Sequence, residues 1–329
     1  MGNACIRSFC SGGHIFYQGG ENRMQDQIVP VFEVEALSHR FGKNRALDGL
    51  TFAIAPGQIV GLLGRNGAGK STLLRIASGQ LRHKEGNAWL FGQRIYNNTP
   101  ALASLCVIGD TPDFGKLKNL KQLYFVCAGL FPGWNKQRAK ELMEQFELPY
   151  TAPLKGFSRG MKTAALLTVG LSSGALFTVF DEPGLGLDAV MRERFYDLLL
   201  EEKQRDPSRT FLLSTHLIDE VARVLDSAVM IDKGHLLCQA NLEDINRIYM
   251  SVSGAPEVVK QETEGMTVLR EEVVAGSLVR HLRLQSVTDA QRLKEEGRVQ
   301  LSPISLQRLF VFLAQTINGT EPVIEEAEE

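Results

Sequence analysis

Glycines at positions 64, 67 and 69, followed by a lysine and a serine, give the run Gly64-Arg65-Asn66-Gly67-Ala68-Gly69-Lys70-Ser71. This fits G-x-x-x-x-G-K-[ST], a spacing that holds phosphate. Backbone N–H groups of such a loop wrap the β- and γ-phosphates of a nucleotide, Lys70 lays a cation on them, and the Ser71 hydroxyl ligates Mg²⁺. The apolar run Ile59-Val60-Gly61-Leu62-Leu63 enters the loop as a buried parallel strand does. Thr72 to Ser78 then follows with helical spacing. The phosphates would therefore sit at a helix N-terminus, where unpaired N–H groups and the helix dipole favour anions.

Phosphoryl transfer to water also needs a metal ligand and a proton acceptor. Leu176-Phe177-Thr178-Val179-Phe180-Asp181-Glu182 reads as a buried strand ending in two carboxylates. Asp181, at the strand tip, is placed to hold Mg²⁺, and adjacent Glu182 to activate water. A lone Asp-Glu pair after a strand is commonly structural; the phosphate loop upstream gives this one its chemical meaning. Phe211 to His216 is a further strand with a histidine just past its end, which alone would be a surface histidine. Ser158 heads a helix, where a serine by itself is an N-cap. Phe41 stands between strands as a bulky aromatic in a loop, and alone would be a core plug.

The elements that position these groups are legible in the periodicity. Val31 to Leu37 and Leu50 to Ile54 alternate as antiparallel strands ahead of the phosphate loop. Trp89 to Phe91 and Ile95 suggest a short hairpin. Leu117 to Phe131 and Asn135 to Leu148 have helical spacing around Pro132-Gly133, so a helical subdomain over about residues 110 to 160 is inserted into an α/β core. Met191 to Lys203 is an amphipathic helix, and Val229–Asp232 with Leu236–Cys238 close the core as a hairpin around Lys233-Gly234. Past Asn241 the composition shifts. Strands over 247–252, 267–269 and 278–284 and helices over 256–264, 289–296 and 305–314 predict a small α+β domain over 241–318. An acidic, disordered tail is expected over 319–329.

At 329 residues the chain has room for roughly two domains. Its 36 basic and 38 acidic residues give a net charge of −2, so nothing demands a nucleic-acid partner and none is expected. Five scattered cysteines without a C-x-x-C read as reduced thiols of a cytosolic protein. No segment reaches the roughly 20 apolar residues of a membrane-spanning helix, so a partner chain would have to supply any span. Residues 1–30 read as a disordered leader. It is glycine-rich over 1–23 and too short in apolar run for a signal peptide, and Met24 is a candidate natural start.

In their order the motifs resemble the nucleotide-binding subunit of ABC transporters over about residues 31 to 240. Ser158-Arg159-Gly160-Met161 looks like the family's signature motif, Gly186-Leu187-Asp188 like its D-loop, His216 like its switch histidine and Phe41 like its adenine-stacking aromatic. The resemblance implies a P-loop NTPase core of ABC type in the α/β class, with an antiparallel β subdomain and the helical insertion. It implies that residues 64–72, from Gly64 through Thr72, hold ATP, and that Ser71, Asp181 and Asp110 ligate Mg²⁺. Glu182 would be the general base and Lys70 a catalytic cation, while His216 would contact the γ-phosphate and align Glu182. Ser158 and Gly160 would reach ATP on a second subunit, with Asp188 at the same junction, so hydrolysis would need a homodimer or heterodimer. Pro132-Gly133-Trp134-Asn135, Phe146-Glu147-Leu148-Pro149 and Phe157 to Thr163 look similar to the YtrB-like branch, which serves ABC-2 type exporters. That branch implies a cytoplasmic ATPase, peripheral on the inner face of the cell membrane, driving an ABC-2 permease. A rival reading is a non-transport ABC ATPase acting on nucleic acid or the ribosome, against which stand the single P-loop and the lack of sustained heptads.

The chain departs from the family at two places that matter. Asp110, in Ile108-Gly109-Asp110-Thr111-Pro112, stands where the Q-loop has glutamine, and adds negative charge near the γ-phosphate. Gly184-Leu185 replaces the usual Thr-Ser, which loosens a contact between subunits.

Overall fold

The computed structural model describes residues 28–111, 113–317 and 325–326. The predicted leader up to residue 27, Pro112 of the Q-loop segment and most of the predicted acidic tail lie outside the described residues. Along the chain the first elements are β1 (Phe32–Phe41), β2 (Asn44–Ile54), β3 (Ile59–Leu63), α1 (Lys70–Ala77), β4 (Glu85–Leu90), β5 (Gln93–Arg94), α2 (Thr99–Leu102) and β6 (Leu105–Ile108). The helical insertion holds α3 (Leu120–Leu130) and α4 (Lys136–Gln145) and leads into α5 (Arg159–Ser172). Then come β7 (Phe177–Asp181), α6 (Ala189–Arg205), β8 (Thr210–Thr215), α7 (Ile218–Val221), β9 (Ser227–Asp232) and β10 (His235–Asn241).

Among the described residues the N-terminal part forms an antiparallel sheet, β2-β1-β4-β5, and a six-stranded sheet, β10-β9-β3-β8-β7-β6. In the latter β9, β3, β8, β7 and β6 run parallel, so their carboxyl ends share one edge. Apolar side chains from both sheets, including Phe32, Leu50, Leu62, Leu73, Phe177 and Ile231, fuse into one core. That burial fixes the mutual placement of the sheets. The helical insertion is tied down where two backbones cross: a Cβ at Gly133 would lie 2.9 Å from the Gly174 carbonyl oxygen, so only glycine fits there. Asn135 caps α4 by accepting from Arg138 N at 2.9 Å, and its own N–H donates to Ser172 O at 2.9 Å.

The strand predicted over Val31–Leu37 runs on to Phe41, so Phe41 closes β1 and is not a loop residue. Register shifts after Val34, Leu37 and His39, with Ala36 at a φ of 46°, break the two-residue alternation. Such bulges hide a strand's length from its sequence.

The described residues divide into two units, and the boundary falls at Leu236–Leu237, inside β10. The second unit contains α8 (Leu242–Ile248), β11 (Tyr249–Gly254), α9 (Pro256–Glu262), β12 (Thr267–Val274), β13 (Ser277–Arg283), α10 (Val287–Glu296), β14 (Gln300–Pro303), α11 (Leu306–Ile317) and β15 (Glu325–Glu326). Its sheet has the order β14-β11-β13-β12-β15. Val252, Val259, Leu278, Leu282 and Leu293 form its core. Within the predicted tail, Glu325–Glu326 pair in parallel with Glu272 and Val273 of β12. An open strand edge offers N–H and C=O groups whatever the side-chain charge. No helix among the described residues is long and apolar enough to cross a membrane.

A polar group lies inside this unit. His281, 1% exposed, has Nδ1 2.8 Å from Ser251 Oγ, and its Nε2 meets Glu272, which also pairs with Arg308. The neutral imidazole satisfies both: Ser251 donates to Nδ1 and Nε2–H donates to Glu272. Burial, with Arg308, holds His281 below its usual value of 6.5 against the pull of Glu272. Burial alone would raise the Glu272 carboxyl, but the bond to His281 and the charge of Arg308 outweigh it and hold it below 4.5. Both depressed groups stabilise the unit above their unfolded values, and that stability is lost as the pH falls through the lower native values. Thermal unfolding should therefore occur at a lower temperature at about pH 5.5 than at about pH 7.5, and His281→Gln should narrow the gap. An equal gap in the variant would count against His281 as the source.

Candidate functional site

Because β3, β6, β7 and β8 are parallel, the residues just past their carboxyl ends converge. Such an edge is where open parallel sheets bind ligands. Past β3 lies the loop 64–69, past β6 Asp110, at the tip of β7 Asp181 with Glu182, and past β8 His216.

The loop 64–69 has one shape available. Gly69 sits at a φ of 108°, and a Cβ there would lie 2.6 Å from the Ala46 carbonyl oxygen. The loop therefore lies against the start of β2, and Gly234 N donates to Ala68 O at 2.9 Å from the opposite side. Lys70, 6% exposed, donates to Gly64 O at 2.7 Å and Arg65 O at 3.4 Å, and its Nζ is 3.6 Å from Glu182 Oε1. Burial lowers the Lys70 pKa below its ordinary value against the pull of Glu182 and Asp181. Ser71 is exposed beside it at the start of α1, and Arg65, Asn66 and Gly67 are exposed along the loop, with Thr72 half-buried.

Strand register decides what the two carboxylates do. Asp181 pairs with Ser214 across β7 and β8, and Ser214 Oγ donates to Asp181 Oδ1 at 2.7 Å. Burial raises the Asp181 carboxyl, Asp110 and Glu182 add to the rise, and Ser214 and Lys70 oppose it. Asp110 thus acts electrostatically on Asp181, while its own Oδ1 accepts from Thr111 Oγ1 at 3.1 Å. Glu182 is held in a left-handed backbone conformation, φ 49°, by its N–H donating to Ser214 O at 2.7 Å. A non-glycine residue at such a φ costs on the order of 1–3 kcal/mol and persists where its surroundings over-determine it. Thr215 Oγ1 donates to Glu182 Oε2 at 3.1 Å, and His216 Nδ1 lies 2.9 Å from Oε1. The carboxylate is thereby fixed from both sides. Thr215 is the member of this set that sequence reading passed over, since it lies in a buried strand run that reads as core.

Ser158, Gly160 and Asp188 are held by contacts of their own. Ser158 Oγ accepts from Met161 N at 3.1 Å as the N-cap of α5, and Asp188 caps α6 by accepting from Met191 N at 2.9 Å. A Cβ on Gly160 would lie 2.8 Å from Gly186 O, and Thr163 Oγ1 donates to Leu185 O at 3.2 Å. No hydrogen bond or ion pair among the described residues joins Ser158 or Gly160 to Lys70, Asp181, Glu182 or His216. Phe41, 45% exposed, stands at the end of β1 opposite Asn44 with its ring 4.7 Å from that of His39. Its hairpin partner β2 is the strand against which Gly69 packs.

The oxygen donors at this edge suit a hard divalent cation. Ser71 and Asp181, with Asp110 acting on Asp181, are hard oxygen donors of the kind that Mg²⁺ accepts when it binds through one or two carboxylates and substrate phosphates.

Residues 47–184 match the family model described as "ABC transporter". The chain is 32% identical over 230 residues to the Nod factor export ATP-binding protein I of Ralstonia nicotianae, covering 66% of this chain and 69% of that one. It is 27% identical over 326 residues to the doxorubicin resistance ATP-binding protein DrrA of Mycobacterium tuberculosis, covering 91% of this chain and 96% of the relative. Among solved structures, one described as an ATP binding subunit of an ABC transporter is 27% identical with a TM-score of 0.60, covering 66% of this chain and 92% of that chain.

Proposed function

Since the chain belongs to the family of ABC transporter ATP-binding proteins, we propose that it hydrolyses ATP as one subunit of a dimer that drives an ABC-2 type exporter of the YtrB-like branch. The observation that carries the reading is the line Lys70–Glu182–His216, with Nζ 3.6 Å and Nδ1 2.9 Å from the same Oε1. In this reading the loop 64–72 binds the phosphates and Phe41 stacks on the base. Glu182 accepts a proton from water as its oxygen bonds to the γ-phosphorus and the bond to the β–γ bridging oxygen breaks, which leaves ADP and phosphate. Lys70 balances charge on the γ-phosphate, while His216 and Thr215 keep the carboxylate aimed. Ser71 and Asp181 would hold Mg²⁺, which supplies charge neutralisation across the β- and γ-phosphates when bound.

None of Ser158, Gly160 and Asp188 bonds to this set among the described residues, which is in keeping with a shared site: they would close on ATP held by the other subunit. A relative named for export, the Nod factor export ATP-binding protein I, supports the direction of transport. The membrane span would belong to a permease subunit, with this chain on the cytoplasmic face.

Turnover should rise more steeply than linearly with protein concentration, because the site is completed by a second copy. Asp110→Gln should raise basal turnover by removing one negative charge that acts on Asp181. Phosphate release measured across a dilution series tests both. Strictly linear scaling would overturn the shared site, and an unchanged rate in the variant would overturn the charge effect.

A further inference from the structure

One ion pair outside the line just described ties the loop after Glu182 to the segment that carries His216. Arg192 lies on the first turn of α6, four residues past Asp188. Its Nη1 pairs with Glu220 of α7, and its Nη2 donates to Leu187 O at 3.4 Å. Glu220 lies four residues past His216, in the segment where Leu217 N donates to Thr215 Oγ1 at 3.1 Å. Thr215 in turn holds Glu182. From the other side, the loop that Arg192 grips turns back on Glu182, with Leu185 N donating to Glu182 O at 3.0 Å and Leu187 N to Gly184 O at 3.3 Å.

Two further features single out this pair. Arg192 Nε and Glu220 Oε2 are both buried, and neither has a hydrogen-bond partner among the described residues. The pair is joined at one bond where a guanidinium and a carboxylate can make two parallel ones. Gly184 lies over the same side chain: a Cβ there would be 3.4 Å from Arg192 Cδ and Nε, so the missing side chain leaves the guanidinium room to turn.

We propose that the Arg192–Glu220 pair is a positioning device for hydrolysis, in which the placement of loop 184–188 sets the aim of His216 on Glu182. The inference rests on the hydrolytic reading above and adds to it how the edge of one subunit, at Gly186 and Asp188, is coupled to the base of the same chain. Neither residue touches the phosphate loop, so neither is a catalytic residue. A neighbouring pair provides a control. Glu193–Arg223 also spans α6 and the segment after α7, but its side chains are 58% and 47% exposed and neither bonds to loop 184–188.

The test is a double-mutant cycle on the full chain. Arg192→Met and Glu220→Ala should each lower kcat on the order of 10–100-fold, the scale of a misaimed catalytic group. The double variant should be no slower than either single one, because the pair acts as a unit. KM for ATP, binding of a fluorescent ATP analogue and the unfolding temperature should stay at wild-type values, since a part-exposed pair contributes little to stability. Glu220→Gln keeps an acceptor for Nη1 and should recover most of the rate, and Glu193→Gln should leave it unchanged. Additive losses, or a fall in kcat that tracks KM and the unfolding temperature, would reduce the pair to a structural brace and overturn the proposal. Wild-type turnover with no loss in either variant overturns this proposal alone. A wild-type chain with no turnover overturns the hydrolytic reading and this proposal with it.

Discussion

Glu182→Gln is expected to lower ATP turnover by about 10²–10⁴-fold, the range lost when a positioned general base is removed. The backbone should not object, because glutamine inherits the same left-handed φ of 49° and can accept from Thr215 as the carboxylate does. What it cannot do is take a proton from water. Lys70 keeps its bonds to Gly64 O and Arg65 O, so the phosphate grip survives. Binding without turnover should therefore trap an ATP-bound dimer, seen as a faster-eluting species in gel filtration with ATP. That species adds stability by mass action, since ATP binds the folded chain and not the unfolded one. Phosphate release within about twofold of wild type would remove Glu182 from the role of base. His216→Ala should give a smaller loss, because Thr215 still holds one carboxylate oxygen.

The second large effect is on the fold. Glu202 of α6 is 5% exposed and sits between two buried guanidinium groups. Arg138 of α4 meets its Oε1, and Arg209 Nη1 lies 3.2 Å from its Oε2. Arg209 also donates to Leu171 O at 2.7 Å, Gly170 O at 3.1 Å and Ala175 O at 3.1 Å, around the end of α5. One carboxylate thus joins the helical insertion to α5, α6 and β8. Glu202→Ala leaves two buried cations without their common counter-ion, a change that costs about 3–5 kcal/mol. The lower end is the better expectation. Arg138 retains Glu201 at 3.0 Å and Glu141 at 3.3 Å, and Arg209 retains the carbonyls at the helix end, where a cation is favoured. About 3 kcal/mol corresponds to a fall of roughly 6–12 °C in Tm for a unit of this size. Salt should change that fall little, because buried pairs are weakly screened. Calorimetry would count against the triad as a brace if the shift stayed under about 2 °C. Replacing all three residues by apolar ones of similar volume should cost far less than removing Glu202, since it is the unpaired charge that is expensive.

What the sequence determined by itself is what a contiguous run can encode. The loop 64–69 is such a case: strand, loop and helix N-terminus are adjacent in the chain, and the groups proposed to grip phosphate are the backbone N–H groups of that run. The buried strands at 176–182 and 211–216 were legible because each reports its own periodicity, and the motif order then pointed to one family. Short or irregular pieces were not legible. Leu242–Ile248 is about two charged turns of helix, Gln300–Pro303 ends in serine and proline, and the bulges of β1 concealed that Phe41 belongs to the strand.

Tertiary structure decided everything that depends on pairing across elements. Asp181 faces Ser214 because of the register between β7 and β8, and one residue further along Glu182 turns out of the strand toward Lys70, Thr215 and His216. No spacing rule carries that, because a one-residue slip in register would exchange the two carboxylates. The same holds for Arg192 with Glu220 and for Arg138, Glu202 and Arg209. Each reads as an ordinary solvated charge on its own helix or loop, and becomes a pair only when packing excludes water from between the elements.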